Sequence, residues 1–226
     1  MAGKCSTAHA VRIWGVGVIK RDLFIVVADL DAENVMKTLL KHRQAALKVH
    51  VDFAEGDLLR YSRHDGGCCK DAVDLLRSRQ NTHHHAMIIF DHHGSGAEEE
   101  PPTVIESRLE KQIMASGWAL GAAAAVVLAP ELETWVWSGS PHVAKILGWG
   151  NGPVAMKEYL SGAGLWPADA SKPPDPKRAM GAAVREKGLP LVSGLFSDLA
   201  KHVSVDGCVD RSFLRFRKLL RSWFPK

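Results

Sequence analysis

Several motifs that would identify an enzyme class are missing from the 226 residues of this sequence. It contains no GxSxG nucleophile elbow, no GxxxxGK[ST] phosphate loop, and no GxGxxG after a predicted strand. These absences argue against an α/β-hydrolase, a P-loop NTPase, a protein kinase and a Rossmann dehydrogenase. The four cysteines include no CxxC pair, which argues against a structural zinc site. They are also too few, in a chain of this length, to suggest a secreted disulfide framework.

Long hydrophobic runs are also lacking. The longest, residues 118–130, has 13 residues, which is too short to cross about 30 Å of hydrocarbon. Residues 1–20 place small residues before their apolar stretch, the reverse of a signal peptide. We therefore expect residues 1–20 to be a poorly ordered leader, and the protein to be cytoplasmic with no membrane partner. The net charge of +4 permits an anionic partner without establishing one.

Two segments read as buried strands because their apolar residues do not alternate with polar ones. Residues 23–27 (LFIVV) and 86–90 (AMIIF) are typical of strands covered on both faces, as in a parallel sheet. We assign a third strand to residues 124–129, which are rich in alanine and follow a predicted helix. Another helix follows the first strand, with Asp31 at its N-cap position. The alternation of strand and helix predicts an α/β fold with a mostly parallel sheet.

The remainder of the chain divides into one weaker strand and a helical half. Residues 47–53 (LKVHVDF) alternate apolar and polar side chains, which predicts a more exposed strand. From residue 140 onward we find only helices, separated by joints rich in glycine and proline. These predicted helices span residues 141–147, 154–161, 176–187, 194–203 and 211–223. We therefore expect an α/β core over residues 21–139 and a helical C-terminal region, residues 140–226, packed on it.

Acidic residues follow three of the predicted strands. Asp29 and Asp31 come after the first strand, Asp91 after the second and Glu131 after the third. The carboxyl ends of parallel strands meet at one edge of the sheet, where ligands bind in such folds. Carboxylates gathered there repel one another unless a cation is bound, and Mg²⁺ or Mn²⁺ suits oxygen ligands. We therefore predict these four residues as metal ligands, with helix capping as the alternative role for any one of them.

Glu131 and Glu133 are expected to differ in role although they are only two residues apart. Pro130 restricts the backbone and helps to orient Glu131 just past the strand end, on the ligand edge. Glu133 falls in the first turn of the next helix, where the helix dipole favours a carboxylate. We predict Glu131 as the site residue and Glu133 as mainly a helix-start acid. The alternative is that both serve the helix start.

Histidines occur in two short tracts. His92 and His93 follow Asp91, and a histidine beside an acid can bind a metal or act as a general base. Neighbours in a loop face apart, and of this pair we select His93 as the functional residue. Residues 83–85 precede a strand at the opposite edge of the sheet, where we expect a solvated turn. A turn is also expected at residues 64–67 (HDGG).

Five basic residues lie in the last predicted helix, residues 211–223. Its apolar residues, among them Phe213, Phe216 and Leu220, fall on one face, and the basic residues lie elsewhere. This pattern is typical of an amphipathic helix with a solvated basic face. The alternative is a basic stripe that faces phosphates.

Taken in order, these segments resemble the Toprim fold. Residues 26–40 and 88–94 (IIFDHHG) are similar to its first strand, which ends on a Glu, and its third, which ends on Asp-x-Asp. Residues 130–138 (PELETWVWS) resemble a helix start of Toprim-like proteins from bacterial defence systems, the methylation-associated defence system among them. The resemblance implies a Toprim-like, mostly parallel sheet of about four strands with a helical C-terminal region.

The resemblance also implies Mg²⁺- or Mn²⁺-dependent chemistry on nucleic-acid phosphodiesters. Asp29 or Asp31 stands near the family Glu, Asp91 matches the first Asp, and His93 takes the place of the second. With Glu131 added, the expected catalytic residues are Asp91, His93 and Glu131. The expected function is a metal-dependent nuclease in an antiphage system, with DNA or RNA and other defence proteins as partners. The alternative is a non-catalytic binding or sensor subunit with a degenerate Toprim-like core.

Overall fold

One parallel sheet forms the centre of the molecule. The computed structural model describes residues 19–137 and 139–226, so the predicted leader lies outside the described residues apart from residues 19 and 20. Four strands pair in the order β2-β1-β3-β4, and each neighbouring pair is parallel. The strands are β1 Arg21–Val27, β2 Leu58–Arg60, β3 His83–Asp91 and β4 Ala123–Leu128. The predicted α/β fold with a parallel sheet of about four strands is confirmed.

Alternate residues of the central strands face two separate cores. In β1, Leu23, Ile25 and Val27 belong to one apolar cluster, whereas Phe24 and Val26 belong to the other. All five side chains are almost completely buried. A strand covered on both faces needs apolar side chains at every position, which is why this run shows no alternation.

Helices cover both faces of the sheet. Two of them, α3 and α4, pack on the face that carries Phe24 and Val26, while α1 and the helices after residue 140 pack on the other. The helices are α1 Leu30–His42, α2 Gln44–Leu47, α3 His64–Arg77, α4 Pro102–Ala115, α5 Pro141–Ile146, α6 Pro153–Gly162, α7 Pro176–Glu186, α8 Ser193–His202 and α9 Arg211–Trp223, with short 3₁₀ helices at Glu55–Asp57 and Leu132–Trp135. The five helices predicted after residue 140 are confirmed. Within the described ranges, none of the helices combines the length and the apolar composition needed to cross a bilayer.

The strand predicted at residues 47–53 is wrong. Most of this segment has no regular structure, and Val49 makes only an isolated bridge to the end of the chain. The Gln44 side chain bonds both the N–H and the carbonyl oxygen of Val51, at 2.8 Å each, so it satisfies backbone groups that a strand would pair. The alternation arises because Leu47, Val49 and Val51 are buried within one of the two apolar cores. The strand beside β1 is instead Leu58–Arg60.

The solvated turn predicted at residues 83–85 is also wrong, because these histidines begin β3. His83 is only 3% exposed, and its Nε2 lies 3.3 Å from the carboxylate of Asp57. His85 stacks on Trp223, with the ring centroids 4.7 Å apart. An imidazole can pack as an aromatic ring while its nitrogens keep hydrogen bonds, so a strand accommodates it. The tract does lie at the end of the sheet opposite the acids, as expected.

Two basic side chains of α9, those of Arg211 and Arg215, bond to the free edge of β4. Arg211 donates from Nη2 to the carbonyl oxygen of Val127 at 2.9 Å. Its guanidinium also forms a two-point ion pair with Glu106 of α4, at 2.8 and 3.0 Å. Glu106 Oε1 in turn accepts the N–H of Val127 at 2.9 Å. Two side chains thus satisfy the N–H and the carbonyl of one edge residue.

The same arrangement repeats two residues earlier along β4. Arg215 donates to the carbonyl oxygen of Ala125 at 2.9 Å, and Glu110 accepts the N–H of Ala125 at 3.1 Å. Arg215 and Glu110 also bond to each other. Arg211 and Arg215 are therefore bonded within the fold and do not form a stripe that faces phosphates, although the side chain of Arg211 remains 41% exposed.

Candidate functional site

Acidic side chains meet at the carboxyl ends of the strands, as the parallel topology requires. Asp29 follows β1 and is the N-cap of α1, where its Oδ1 accepts the N–H of Ala32 at 2.8 Å. The sequence placed this cap at Asp31, which is wrong because α1 already begins at Leu30. Asp31 therefore lies in the first turn, and its carboxylate is not used as the cap.

Asp91 is the most deeply buried of the predicted ligands. It ends β3, and its Oδ1 accepts the N–H of Leu132 at 2.9 Å, which joins β3 to the segment after β4. Burial raises the pKa of Asp91 well above its ordinary value, and nearby negative charges raise it further. The carboxylates responsible are Asp65, Glu133 and Asp29.

Asp65 was not among the residues selected from the sequence. It lies in the first turn of α3, and its Oδ1 accepts the N–H of Asp91 at 2.8 Å. Burial raises the pKa of Asp65, with the charge of Asp29 acting in the same direction. Its position depends on β2, a strand of three residues that no pattern revealed. The turn predicted at residues 64–67 is wrong, because α3 begins at His64.

Glu131 and Glu133 occupy different surroundings. Glu131 is the residue before the 3₁₀ helix, and its Oε1 lies 3.1 Å from His93 Nδ1 and 3.9 Å from Lys177 Nζ. Glu133 is inside that helix, only 4% exposed, and its charge contributes to the raised pKa of Asp91. Burial, opposed by the charge of Lys177, raises the pKa of Glu133 to about 7.

Asp31 completes the group of acids that we call the carboxylate cluster: Asp29, Asp31, Asp65, Asp91 and Glu133. Burial, opposed by a hydrogen bond with the Ser193 side chain, raises the pKa of Asp31, and the charge of Asp29 raises it further. Its Oδ1 is buried and accepts no hydrogen bond from any described residue. Several of these acids therefore favour the neutral form more strongly than an exposed carboxyl would.

One positive charge close to this cluster comes from α7. Lys177 lies in the first turn of that helix, and burial lowers its pKa. Four carboxylates outweigh this effect and raise the pKa of Lys177 above its ordinary value. They are Glu133, Glu131, Asp91 and Asp29. The sequence contained no signal for this contact, because α7 reaches the strand ends only through tertiary packing.

His93 is the more exposed member of its pair. Its side chain is 73% exposed and bonds Glu131, whereas His92 is half-buried with Nε2 2.9 Å from the carbonyl oxygen of Glu100. The structure therefore places His93 beside one predicted site residue and ties His92 to its own loop. A carboxylate that bonds Nδ1 fixes the orientation of the imidazole ring.

The fit of the predicted metal ligands is partial. Carboxylate oxygens are the donors that Mg²⁺ and Mn²⁺ prefer, and burial is the main cause of the raised pKa values of Asp31 and Asp91. In the positions they occupy, however, no three His, Cys, Asp or Glu side chains within residues 19–137 and 139–226 are placed to hold one ion. Among the predicted ligands, Asp29 and Asp91 each have one oxygen bonded to a backbone N–H, and Glu131 faces His93.

We compared the chain with protein-family models, with curated proteins and with solved structures, and none of the three comparisons produced a match.

Proposed function

We propose that the protein cleaves phosphodiester bonds of DNA or RNA with the help of Mg²⁺ or Mn²⁺. The proposal includes a role in bacterial antiphage defence, in the cytoplasm and with other defence proteins. That part rests on the resemblance to Toprim-like proteins, whereas the chemistry is also supported by the described residues.

The carboxylate cluster is the observation that carries the proposal. Asp91 and Glu133 are buried, and their raised pKa values mean that burial disfavours the charged form of both groups unless a positive charge lies close by. A bound divalent cation would supply that charge, polarise a phosphate and activate water. Asp29 and Asp91 each retain a second oxygen beyond the one bonded to the backbone. Asp31 adds a buried oxygen without a partner among the described residues.

His93 and Glu131 support the same chemistry at the edge of the cluster. The 3.1 Å contact between His93 Nδ1 and Glu131 Oε1 orients the ring, and the exposed side chain leaves Nε2 open to solvent. In this proposal Nε2 accepts a proton from the attacking water, the role of a general base. Lys177, close to Glu131, provides a positive charge for a phosphate oxygen.

The test is a cleavage assay with single- and double-stranded DNA and RNA in EDTA, Mg²⁺ or Mn²⁺. Asp91→Asn keeps an oxygen for the N–H of Leu132 but removes the charge. We expect metal-dependent cleavage by the wild type and a loss of about a hundredfold or more in the variant. Asp74→Asn, an exposed acid on α3, is the matched control and should cleave normally. Full activity of Asp91→Asn would contradict the proposal.

A second candidate is a non-catalytic binding or sensor subunit. Two observations favour it: Lys177 already neutralises part of the cluster, and the described side chains do not form a three-ligand group. A melting experiment separates the two candidates, because a ligand present at a hundredfold excess over its Kd stabilises the folded state by about 2.7 kcal/mol. No shift with millimolar Mg²⁺ or Mn²⁺, together with nucleic-acid binding but no cleavage, would favour the binding subunit.

A further inference from the structure

A groove opens beside the carboxylate cluster, between α7 and the segment after β4. It has a volume of about 800 Å³, and His93, Glu131 and Lys177 line it together. The rest of the lining comes from α7 between Lys177 and Arg185 and from apolar residues beside it, among them Ala163, Leu165 and Leu191. The groove therefore connects the proposed reaction site to a surface on the helical half of the chain.

The charges in the groove favour an anion. Arg178 and Arg185 are exposed, and their guanidinium groups pair with no described residue. The two carboxylates in the same wall are already engaged. Glu131 faces His93 and Lys177, and Asp175 caps α7 by accepting the N–H of Arg178 at 2.9 Å. This contrasts with α9, whose arginines are bonded inside the fold.

The wall that α7 contributes to the groove is low between its two arginines. Gly181 and Ala182 lie between the two arginines in sequence and give α7 a low surface there. A Cβ added to Gly181 would meet no atom within 4 Å, so a side chain at this position would project into open space. Arg178 and Arg185 are seven residues apart, about 10.5 Å along the helix axis and on nearly the same face. They therefore present two separate charges along one line.

We propose that this groove binds the sugar-phosphate backbone of a single strand of nucleic acid and directs it to the carboxylate cluster. A volume of about 800 Å³ is in the range of pockets that enclose one small ligand, so it accommodates a short part of one strand. In this arrangement Arg178 and Arg185 bind successive parts of the backbone, and Lys177 binds the phosphate nearest Glu131. This inference rests on the proposed function, because cleavage at the carboxylate cluster is what would require a strand to be brought there.

The first test measures binding alone, with EDTA present so that no cleavage occurs. Fluorescence anisotropy of a labelled single-stranded oligonucleotide is compared for the wild type and the double variant Arg178→Ala/Arg185→Ala. We expect the Kd to rise about tenfold or more, and the slope of log K against log salt to fall by about 1.4 in magnitude, for two lost phosphate contacts. Arg77→Ala/Lys111→Ala removes two exposed positive charges elsewhere and should bind as the wild type does. Equal binding by the groove variant overturns the inference.

The second test fills the groove without changing its charge. Gly181→Leu places a side chain in the open space and improves helix propensity, so the variant should fold. We expect weaker single-strand binding with an unchanged or higher melting temperature, while Gly181→Ala binds normally. Normal binding by a folded Gly181→Leu protein overturns the inference.

Competitors and cleavage assays distinguish the remaining outcomes. A duplex of the same sequence that binds as tightly as the single strand overturns the assignment. So does displacement of the oligonucleotide by poly-glutamate at equal charge, which would indicate a site for acidic proteins. Single-strand binding that depends on the two arginines, without any metal-dependent cleavage, supports the groove while the proposed nuclease activity fails. Metal-dependent cleavage that is insensitive to the two arginines supports the proposed nuclease activity, while the assignment of the groove fails.

Discussion

Removal of the Glu106 carboxylate tests how much the side-chain bonds to the β4 edge contribute to stability. Glu106 is 2% exposed, accepts the N–H of Val127 and pairs with Arg211. Leaving a buried N–H without an acceptor costs about 1–3 kcal/mol. Breaking a buried ion pair costs about 3–5 kcal/mol. Arg211 is 41% exposed, so water screens and solvates the guanidinium that remains. We therefore expect Glu106→Ala to lower the free energy of unfolding by about 3 kcal/mol.

The assay is equilibrium unfolding in urea, with Glu158→Ala as the control. Glu158 is an exposed helical residue, and its replacement should change the free energy of unfolding by no more than about 0.5 kcal/mol. A double-mutant cycle with Arg211→Ala isolates the pair, for which we expect a coupling of about 1–2 kcal/mol. Hydrogen exchange of the Val127 N–H should accelerate in Glu106→Ala beyond the change in global stability. If Glu106→Ala costs no more than Glu158→Ala, the bonds to the β4 edge do not stabilise the sheet as argued.

Two further predictions concern the pH dependence of stability. The pKa of Glu133 is about 7 in the folded protein against 4.5 for the free side chain, so its stabilising effect is complete below pH 4.5 and is lost as the pH rises through 7. At pH 8 the free energy of unfolding of Glu133→Gln should therefore exceed that of the wild type by up to about 3 kcal/mol, and the difference should vanish near pH 4.5. Equal stability of the two proteins at pH 8 would contradict the burial argument. Burial lowers the pKa of His83, opposed by Asp57, so the wild type should lose stability as the pH falls below 6.5. In urea unfolding, the free energy of unfolding of His83→Gln should fall less between pH 7 and pH 5 than that of the wild type. An identical decrease in the two proteins would refute this.

The apolar patterns predicted the sheet because burial on both faces leaves a direct mark in the sequence. Residues 23–27 and 86–90 are apolar at every position for that reason, and the acids that follow them were placed correctly at one edge. Residues 47–53 misled because the same alternation appears in an irregular segment that packs on a core. There the Gln44 side chain satisfies the backbone, and no periodicity records such a bond.

The site was less accessible from the sequence than the sheet. Asp65 lies in the helix that follows β2, so its position in the carboxylate cluster depends on that strand. With only three residues, β2 is too short for its sequence to show a period. Lys177 enters from α7, and its partner Glu131 is distant along the chain. The pairing of Glu106 with Arg211 spans 105 residues. The packing of helices determines contacts of this kind, whereas the periodicity of apolar residues reports only local burial.

The satisfied edge of β4 also bears on how the folded protein behaves at high concentration. An open edge strand offers unpaired N–H and carbonyl groups to any other strand, and this is a common route to aggregation. At Ala125 and Val127 those groups are already bonded to glutamate and arginine side chains. The opposite edge, β2, is only three residues long. A second molecule would have to break two ion pairs before it could extend this sheet at β4, so the fold itself resists edge-to-edge association.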